Sequence, residues 1–167
     1  MAFILRPWSP DDLSSLVEAA NNPAIARYLT NMFPHPYTAA DGQAFIEFVS
    51  SQAPTCIFAI EVNGHAVGSI GLHPQADIHC KNAELGYWLA QPFWGQGIIS
   101  QAISQLVAYG FQTFDIMRIF ARPFGTNRAS QRVLEKADFR LEAQFKQTLF
   151  KNGEFLDEWV YAVRRTA

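Results

Sequence analysis

Hydrophobic positions follow two different periods along this chain, and each period predicts one kind of element. In four segments apolar residues recur every three or four positions, which predicts amphipathic helices. Between them lie short apolar or alternating runs that predict strands. From the N-terminus, the predicted order is a strand, two helices, three strands, a helix, a strand, a helix and two strands.

The predicted strands are separated by turn residues. They cover Phe3–Arg6, Cys56–Val62, His65–His73, Asn82–Ala90, Met117–Pro123, Phe139–Phe150 and Glu154–Val163. Two of the gaps, Asn63-Gly64 and Asn152-Gly153, are two residues long and have the composition of a hairpin turn. Antiparallel pairs are therefore expected at both places, while the central strand–helix–strand order implies one parallel pair.

Helix boundaries also have recognisable signals. Ser9 and Thr38 are predicted N-caps of the first two helices. Asn21-Asn22-Pro23 is predicted to break the first helix, and the proline-containing segment 24–38 is predicted to be a loop. The third helix follows Gly97, and the fourth covers Asn127–Lys136. The pattern predicts an α/β (α+β) fold: a single domain over residues 1–167, with a mixed sheet covered by helices on both faces.

Composition narrows the function classes. Hydrophobic residues make up 49% and charged residues 17% of 167 positions, as in globular domains, and the net charge of −2 argues against a nucleic-acid partner. No apolar stretch is long enough to span a membrane, and the N-terminus does not read as a signal peptide. Two cysteines without a CxxC pair and four histidines without ligand spacing predict no metal and a cytoplasmic protein.

The stretch QPFWGQGIIS places Gly95 and Gly97 directly before a helix. The first amides of a helix have no partner within it, and with the helix dipole they bind anions. Glycines let a phosphate approach such amides closely. A plain strand-to-helix turn explains the two glycines about equally well, and the stretch lacks both the P-loop lysine and the third glycine of a dinucleotide site.

Two longer motifs resemble one family. The segment ELGYWLAQPFWGQGIISQAI resembles the acetyl-CoA-binding motif of the GCN5-related N-acetyltransferases (GNAT), and TNRASQRVLEKADF resembles the second motif of the branch that contains the ribosomal-protein N-terminal acetyltransferases. The opening ILRPWSPDDL and the closing NGEFLDEWVYAV are similar in style. The resemblance implies a mostly antiparallel sheet whose central parallel pair splays apart, with acetyl-CoA as cosubstrate and no metal.

The resemblance also assigns cofactor-binding positions. The pantetheine arm is expected along the backbone at the end of the third central strand, and the diphosphate on the turn and first helical residues. Asn127 and Ser130 would complete the site from the fourth helix. The expected cofactor-binding residues are Trp88, Leu89, Ala90, Gly95, Gln96, Gly97, Ile98, Ile99, Ser100, Asn127 and Ser130.

Acetyl transfer to an amine requires a donor to the oxyanion, a proton or hydrogen bond for the leaving thiolate, and a neutral amine. The expected catalytic groups are the backbone amide of Leu89 for the oxyanion and Ser130 for the thiolate. Glu84, in an apolar stretch, is expected to be a buried carboxylate with a raised pKa. It is the candidate for base or amine binding, and a purely structural carboxylate is an equal alternative.

The acceptor is expected to be a primary amine: a small molecule, or a peptide or protein N-terminus. Tyr28, Phe33 and Tyr37 form an aromatic loop that could roof its pocket, or simply pack on the sheet. Relatives carry a tyrosine acid and a glutamate base at positions that here are Leu134 and Leu149. These departures leave open a non-catalytic acyl-CoA sensor, and binding of another nucleotide is a third reading. A monomer or homodimer is expected.

Overall fold

Seven strands form one sheet in the order β1-β2-β3-β4-β5-β7-β6. The computed structural model describes residues 1–166. The strands are β1 (Ile4–Pro7), β2 (Ile57–Val62), β3 (His65–Pro74), β4 (Asn82–Leu89), β5 (Arg118–Ala121), β6 (Arg140–Lys151) and β7 (Glu154–Arg164). The helices are α1 (Leu13–Ala20), α2 (Pro23–Ala26), α3 (Ala39–Ser50), α4 (Ile98–Thr113) and α5 (Arg128–Lys136). The sheet is mixed and mostly antiparallel, which confirms the predicted fold class.

The parallel pairing of β4 with β5 is short. It joins Asn82, Ala83 and Glu84 to residues 118–120, and the described ladder extends no further. β4 itself continues to Leu89, so residues 85–89 have no ladder partner on β5 in the described structure. The pairings β1–β2, β2–β3, β5–β7 and β6–β7 are antiparallel.

Both predicted hairpin turns are confirmed. Asn63 and Gly64 have φ values of 51° and 82°, and Asn152 and Gly153 have 52° and 80°. A type I′ turn requires a positive φ at both central residues, which asparagine and glycine tolerate best. Asp138 has a φ of 64°, in the left-handed region that aspartate tolerates better than most residues.

The loop predicted between the first two helices is partly wrong. Asn22 accepts a hydrogen bond from the amide of Ala24, and Pro23 occupies the first position of the short helix α2. A proline suits that position because its missing N–H has no helical acceptor there. The asparagine–proline pair read as a break is therefore the start of another helix. Thr38 caps α3 with a reciprocal capping box to Asp41, as its position predicted.

The described chain forms two compact units. The first consists of Met1–Gly71 and Tyr87–Ala102, and the second of Leu72–Gly86 with the chain from Ile103 onward. The single domain predicted over residues 1–167 stays a prediction beside this division. No helix in the described part of the chain is long and apolar enough to cross a membrane.

The first unit is built around α1, α3, β2 and β3. Its core joins aromatic and aliphatic side chains, among them Trp8, Leu16, Tyr37 and Ile46. The rings of Trp8 and Phe45 meet edge to face at 5.4 Å between centroids. Such contacts add modestly to the burial of apolar area that holds α1 and α3 against the strands.

The second unit packs α4 and α5 against its strands. Leu106, Ile119 and Leu134 are fully buried there. A Cβ on Gly110 of α4 would lie 2.5 Å from Leu72 Cδ1, so a larger residue there would force the buried Leu72 side chain to move. Tyr161 donates from its buried hydroxyl to Glu135 Oε1 at 3.1 Å.

An ion cluster anchors the start of α1 in the first unit. Arg6 donates from two nitrogens to the Asp12 carboxylate at 2.7 Å each, and it also binds Glu61. Asp12 also accepts from the amide of Ser9 at 2.9 Å. Burial alone would raise the pKa of Asp12, but the hydrogen bonds from Arg6 and Ser9 and the charge of Arg6 together hold it below its usual value.

This cluster predicts a pH-dependent contribution to stability. Because the folded-state pKa of Asp12 is depressed, its contribution is fully present above the unfolded pKa of about 3.9 and is lost as the pH falls through the folded pKa. Asp12→Asn should lower the free energy of unfolding at pH 7 by about 2–3 kcal/mol, since it leaves Arg6 without its main partner. Denaturant unfolding of both proteins between pH 7 and pH 3 measures this difference, which should shrink below about pH 4.

The matched control is Asp115→Asn, because Asp115 forms its ion pair with Lys81 at the surface. Its effect at pH 7 should be much smaller, since solvent screens exposed pairs. A difference between Asp12→Asn and the parent protein that stays constant down to pH 3 would contradict the assigned role of the carboxylate.

Candidate functional site

The turn before α4 has an unusual backbone. Gly95 and Gly97 have φ values of 75° and 77°, in the left-handed region that disfavours residues with a Cβ. A Cβ at Gly95 would meet nothing within 4 Å, and at Gly97 the nearest atom is Gln101 Nε2 at 3.6 Å. The glycines are therefore explained by the backbone conformation rather than by packing, and the space in front of them is open.

This turn also presents unpaired amides. Within residues 1–166, the amides of Gln96, Gly97, Ile98 and Ile99 have no protein acceptor. The amide of Gln101 donates back to the Gly97 carbonyl at 3.3 Å. Converging N–H groups at the start of a 16-residue helix form an electropositive cradle. The donor set and the open space fit a phosphate group.

Two side chains brace the same turn. The hydroxyl of Ser100 donates to the Gly97 carbonyl at 3.1 Å. The side-chain amide of Gln96 donates to the Pro92 carbonyl at 2.9 Å. Both contacts are local, so they fix the shape of the turn without covering its amides.

The end of β4 leaves main-chain groups directed away from β3. Ala90 donates to the Val67 carbonyl of β3 at 2.8 Å. Because successive residues of a strand direct their N–H groups to opposite edges, the N–H of Leu89 points to the other edge of β4. The carbonyl of Leu89 accepts from the indole of Trp94 at 2.7 Å, which fixes the strand end. The sequence did not predict this contact of the Trp94 indole.

Asn127 and Ser130 lie in the second unit at the start of α5. Asn127 is the N-cap, and its Oδ1 accepts from the Ser130 amide at 3.2 Å. Among residues 1–166 the Nδ2 group of Asn127 donates to no acceptor, so its two N–H groups are available. Gln131, which was not singled out from the sequence, is buried and donates to the carbonyls of Phe124 and Gly125. It holds the loop that leads into α5.

The expectation that Glu84 is a buried carboxylate is wrong. Its side chain is 27% exposed, and its two oxygens accept from Arg122 Nε at 2.9 Å and Nη2 at 3.1 Å. These contacts raise the pKa of Arg122, first through the hydrogen bond itself. Glu158 lies 4.0 Å from the same guanidinium. The apolar neighbours of Glu84 in the sequence suggested burial, but its side chain pairs with Arg122, the residue that directly follows β5.

Two members of the predicted aromatic loop come together in the first unit. Phe33 lies 5.2 Å from Tyr37 and 5.8 Å from Trp88, measured between ring centroids. Both Phe33 and Tyr37 line a cavity that Trp88 also borders. Tyr28 does not line it, and instead stacks under the Arg27 guanidinium at 4.5 Å.

The chain departs from the family pattern at Leu134 and Leu149, and both side chains are at least partly shielded from solvent. Leu134 is fully buried in the core of the second unit. Leu149 is half-buried on β6, opposite Leu156 of β7. The described residues contain no group of three or more His, Cys, Asp or Glu side chains that could hold a metal ion.

Comparison with known proteins gives a consistent result. The family model described as "Acetyltransferase (GNAT) domain" matches residues 2–140. The chain is 38% identical over 165 residues to "Uncharacterized N-acetyltransferase YoaA" of Bacillus subtilis (strain 168), covering 96% of this chain and 92% of that protein. It is also 38% identical over 82 residues to the "Ribosomal-protein-serine acetyltransferase" of Escherichia coli (strain K12), covering 49% and 46%.

The fold is shared with solved structures. One is titled "RimL- Ribosomal L7/L12 alpha-N-protein acetyltransferase in complex with Coenzyme A"; it aligns with a TM-score of 0.86 and 23% identity over 98% of this chain and 94% of that one. At that identity the likeness concerns the fold. The match of the family model over most of the chain, and the 38% identity to a relative over nearly its whole length, establish that the protein belongs to the GNAT family and is an acetyl-CoA-dependent N-acetyltransferase.

Proposed function

We propose that the protein transfers the acetyl group of acetyl-CoA to the α-amine of a peptide or protein by direct attack of that amine. The observation that carries the proposal is the end of β4, where the Leu89 N–H points away from β3 just before a helix start with free amides. One segment thus offers a donor for a carbonyl oxygen and a cradle for a diphosphate. The ribosomal-protein acetyltransferases among the relatives support a protein acceptor.

The cosubstrate would bind along residues 88–100. The amides of Gln96 to Ile99 would hold the diphosphate, and the backbone of Trp88 to Ala90 would pair with the pantetheine arm. The Nδ2 donors of Asn127 would bind a carbonyl of the cosubstrate. No side chain of the turn supplies positive charge, so the helix dipole and the amides have to provide the attraction.

Attack by the amine places negative charge on the thioester oxygen, and the Leu89 N–H is the proposed donor to it. A fixed donor in such a position is worth roughly two to three orders of magnitude in rate. The hydroxyl of Ser130 would hydrogen-bond the departing thiolate. The first turn of α5 suits an anion there, because its amide ends carry partial positive charge.

The need for a base depends on the acceptor. An α-amine has a pKa near 8, so roughly a tenth is neutral at pH 7, whereas only about four in ten thousand lysine-like amines are neutral. Both oxygens of Glu84 already accept hydrogen bonds from Arg122, so this carboxylate is committed to an ion pair. Leu149 supplies no carboxylate. The site therefore suits an amine that loses its proton to water, and Glu84 would serve to attract the ammonium form.

The first experiment tests acceptor class. Purified protein with acetyl-CoA is assayed for thiol release with peptides that carry a free α-amine, the same peptides with a blocked N-terminus and one lysine, and spermidine. We expect turnover with the free α-amine and at least tenfold lower kcat/KM for the other two, because far less of each is neutral. If the protein binds acetyl-CoA tightly but releases no coenzyme A thiol with any of these amines, it is a sensor and not an enzyme.

A second prediction concerns the diphosphate turn. Gly97→Ala should weaken acetyl-CoA binding at least tenfold, about 1.4 kcal/mol, because the methyl group enters the open space before the amides and strains the positive φ. Isothermal titration calorimetry measures the affinity. Gly64→Ala is the matched control, since Gly64 has a φ of 82° and equally open surroundings in a hairpin turn. An affinity within threefold for Gly97→Ala would refute the turn as the diphosphate site.

The third prediction separates the proposed side chains. Ser130→Ala should lower kcat about tenfold or more while leaving acetyl-CoA affinity within threefold, and α5 should stay capped because Asn127 bonds the backbone amide of residue 130. Glu84→Gln should raise the KM for the peptide more than it lowers kcat, since it removes attraction for the ammonium. Glu142→Gln, which also removes an arginine-paired carboxylate, is the control and should change neither constant. Unchanged kinetics in Ser130→Ala would remove Ser130 from the mechanism.

A further inference from the structure

The first unit contains a cavity of about 420 Å³ that the proposed chemistry does not use. Aromatic rings form much of its wall: Phe33 and Tyr37 from the loop before α3, Phe45 from α3, and Trp88 from β4. Its volume lies in the range of sites that hold small ligands, roughly 300–1,000 Å³. Walls of this composition favour an apolar occupant with a ring or a large aliphatic group.

One polar group in this wall has no partner. Tyr37 is 5% exposed, and within residues 1–166 its hydroxyl makes no hydrogen bond. Burial, with a smaller contribution from Asp41, raises the pKa of this phenol to about 12, so it stays neutral and can both donate and accept. The buried side-chain atoms that lack a partner in the described chain do not include the Tyr37 oxygen, so this oxygen is open to solvent and can also bond an occupant of the cavity.

The charge of the wall argues against a polycation. Asp41 lines the cavity, but its Oδ2 already accepts from the Thr38 amide at 2.8 Å and from the Thr38 hydroxyl at 2.7 Å, where it caps α3. A polyamine would need several carboxylates to replace its hydration. The wall offers this single, already committed one.

The cavity begins beside the proposed reaction centre. Trp88 borders it with its side chain, and Leu89, whose N–H is the proposed oxyanion donor, is the next residue of the same strand. A group bound against Trp88 would therefore lie close to an amine that attacks a carbonyl held at Leu89. In an acceptor peptide the first side chain and the α-amine are attached to the same Cα atom, so the two can be held at adjacent residues of the strand.

We propose that this cavity binds the large apolar side chain of the residue that carries the acceptor amine, which makes the enzyme selective for peptides that begin with an aromatic or large aliphatic residue. The proposal rests on the acetyl transfer to α-amines proposed above. A tyrosine or tryptophan at that position could also form a hydrogen bond with the accessible Tyr37 hydroxyl.

The test compares peptide amides that differ only in the first residue. With phenylalanine, tyrosine or leucine there, kcat/KM should exceed the value for alanine or glycine by at least about tenfold, because a ring or branched chain gains several methylene equivalents of burial. Equal values, or a preference for the small residues, would overturn the proposal.

A pair of substitutions on α3 separates the cavity from general damage. Ala44 lines the cavity, whereas Ala40, equally exposed and one turn earlier on the same helix, does not. Ala44→Leu should fill the space and reduce the ratio of kcat/KM for the phenylalanine and alanine peptides to near one, and Ala40→Leu should leave that ratio unchanged. Loss of activity with both peptides to the same extent, or weaker acetyl-CoA binding in Ala44→Leu, would show that the cavity is not the side-chain subsite.

A binding measurement distinguishes failure of this inference from failure of the proposed function. In the presence of coenzyme A, phenylalanine amide should raise the melting temperature of the parent protein more than alanine amide does, and Ala44→Leu should remove that difference. If no peptide is acetylated but this pattern is seen, the cavity assignment stands and the proposed reaction is wrong. If peptides are acetylated without any such pattern, the reverse holds. Tyr37→Phe, which keeps the ring, should weaken binding of tyrosine amide more than of phenylalanine amide.

Discussion

The early end of the β4–β5 ladder is the constraint on which the rest of the site depends. Three residue pairs hold the strands in parallel, and beyond Glu84 the described ladder stops while β4 runs on to Leu89. A strand inside a sheet normally uses its N–H and C=O groups on both sides. Where one side is unused, those groups are available to a substrate at no cost in broken sheet bonds.

The glycine turn follows from the same strand end. The chain has to leave β4 and begin α4 within a few residues, and the Trp94 indole, bonded to the Leu89 carbonyl, fixes the point at which it departs. Two residues of positive φ then aim consecutive amides outward before the helix begins. Because the donors belong to the backbone, their geometry is preorganised by α4 and does not rely on mobile lysine or arginine side chains.

Local signals made much of the fold predictable. The Asn-Gly turns require a conformation that few other residue pairs adopt, so Asn63-Gly64 and Asn152-Gly153 identified both hairpins. The turn glycines were also identifiable, because the residues around them form a recognisable motif. The error at Pro23 had a local cause: the same asparagine–proline pair can end one helix and start another, and the sequence does not distinguish the two.

Interactions between distant residues could not be derived in this way. Glu84 was expected to be buried because its neighbours along β4 are apolar, yet its partner Arg122 is 38 positions away and was unrelated to it by any local pattern. The cavity beside Trp88 likewise depends on a loop packing against a strand more than 50 positions later. Sequence periodicity reports which face a residue occupies, but not which side chain from another element meets it there.

The pairing of Glu84 with Arg122 also bears on how much catalysis needs a base. General base catalysis contributes about 10²–10⁴ in rate, whereas holding two reactants in register can be worth roughly 7–11 kcal/mol, or more than 10⁵. An enzyme whose acceptor amine is partly neutral at physiological pH can omit the general base and still gain the rate that comes from positioning the two reactants. A cavity that fixes the acceptor's side chain beside Leu89 would supply that positioning. Binding of the acceptor's ring by Phe33, Tyr37 and Trp88 would thus contribute, through positioning, the rate enhancement that a basic carboxylate at the position of Leu149 would otherwise contribute.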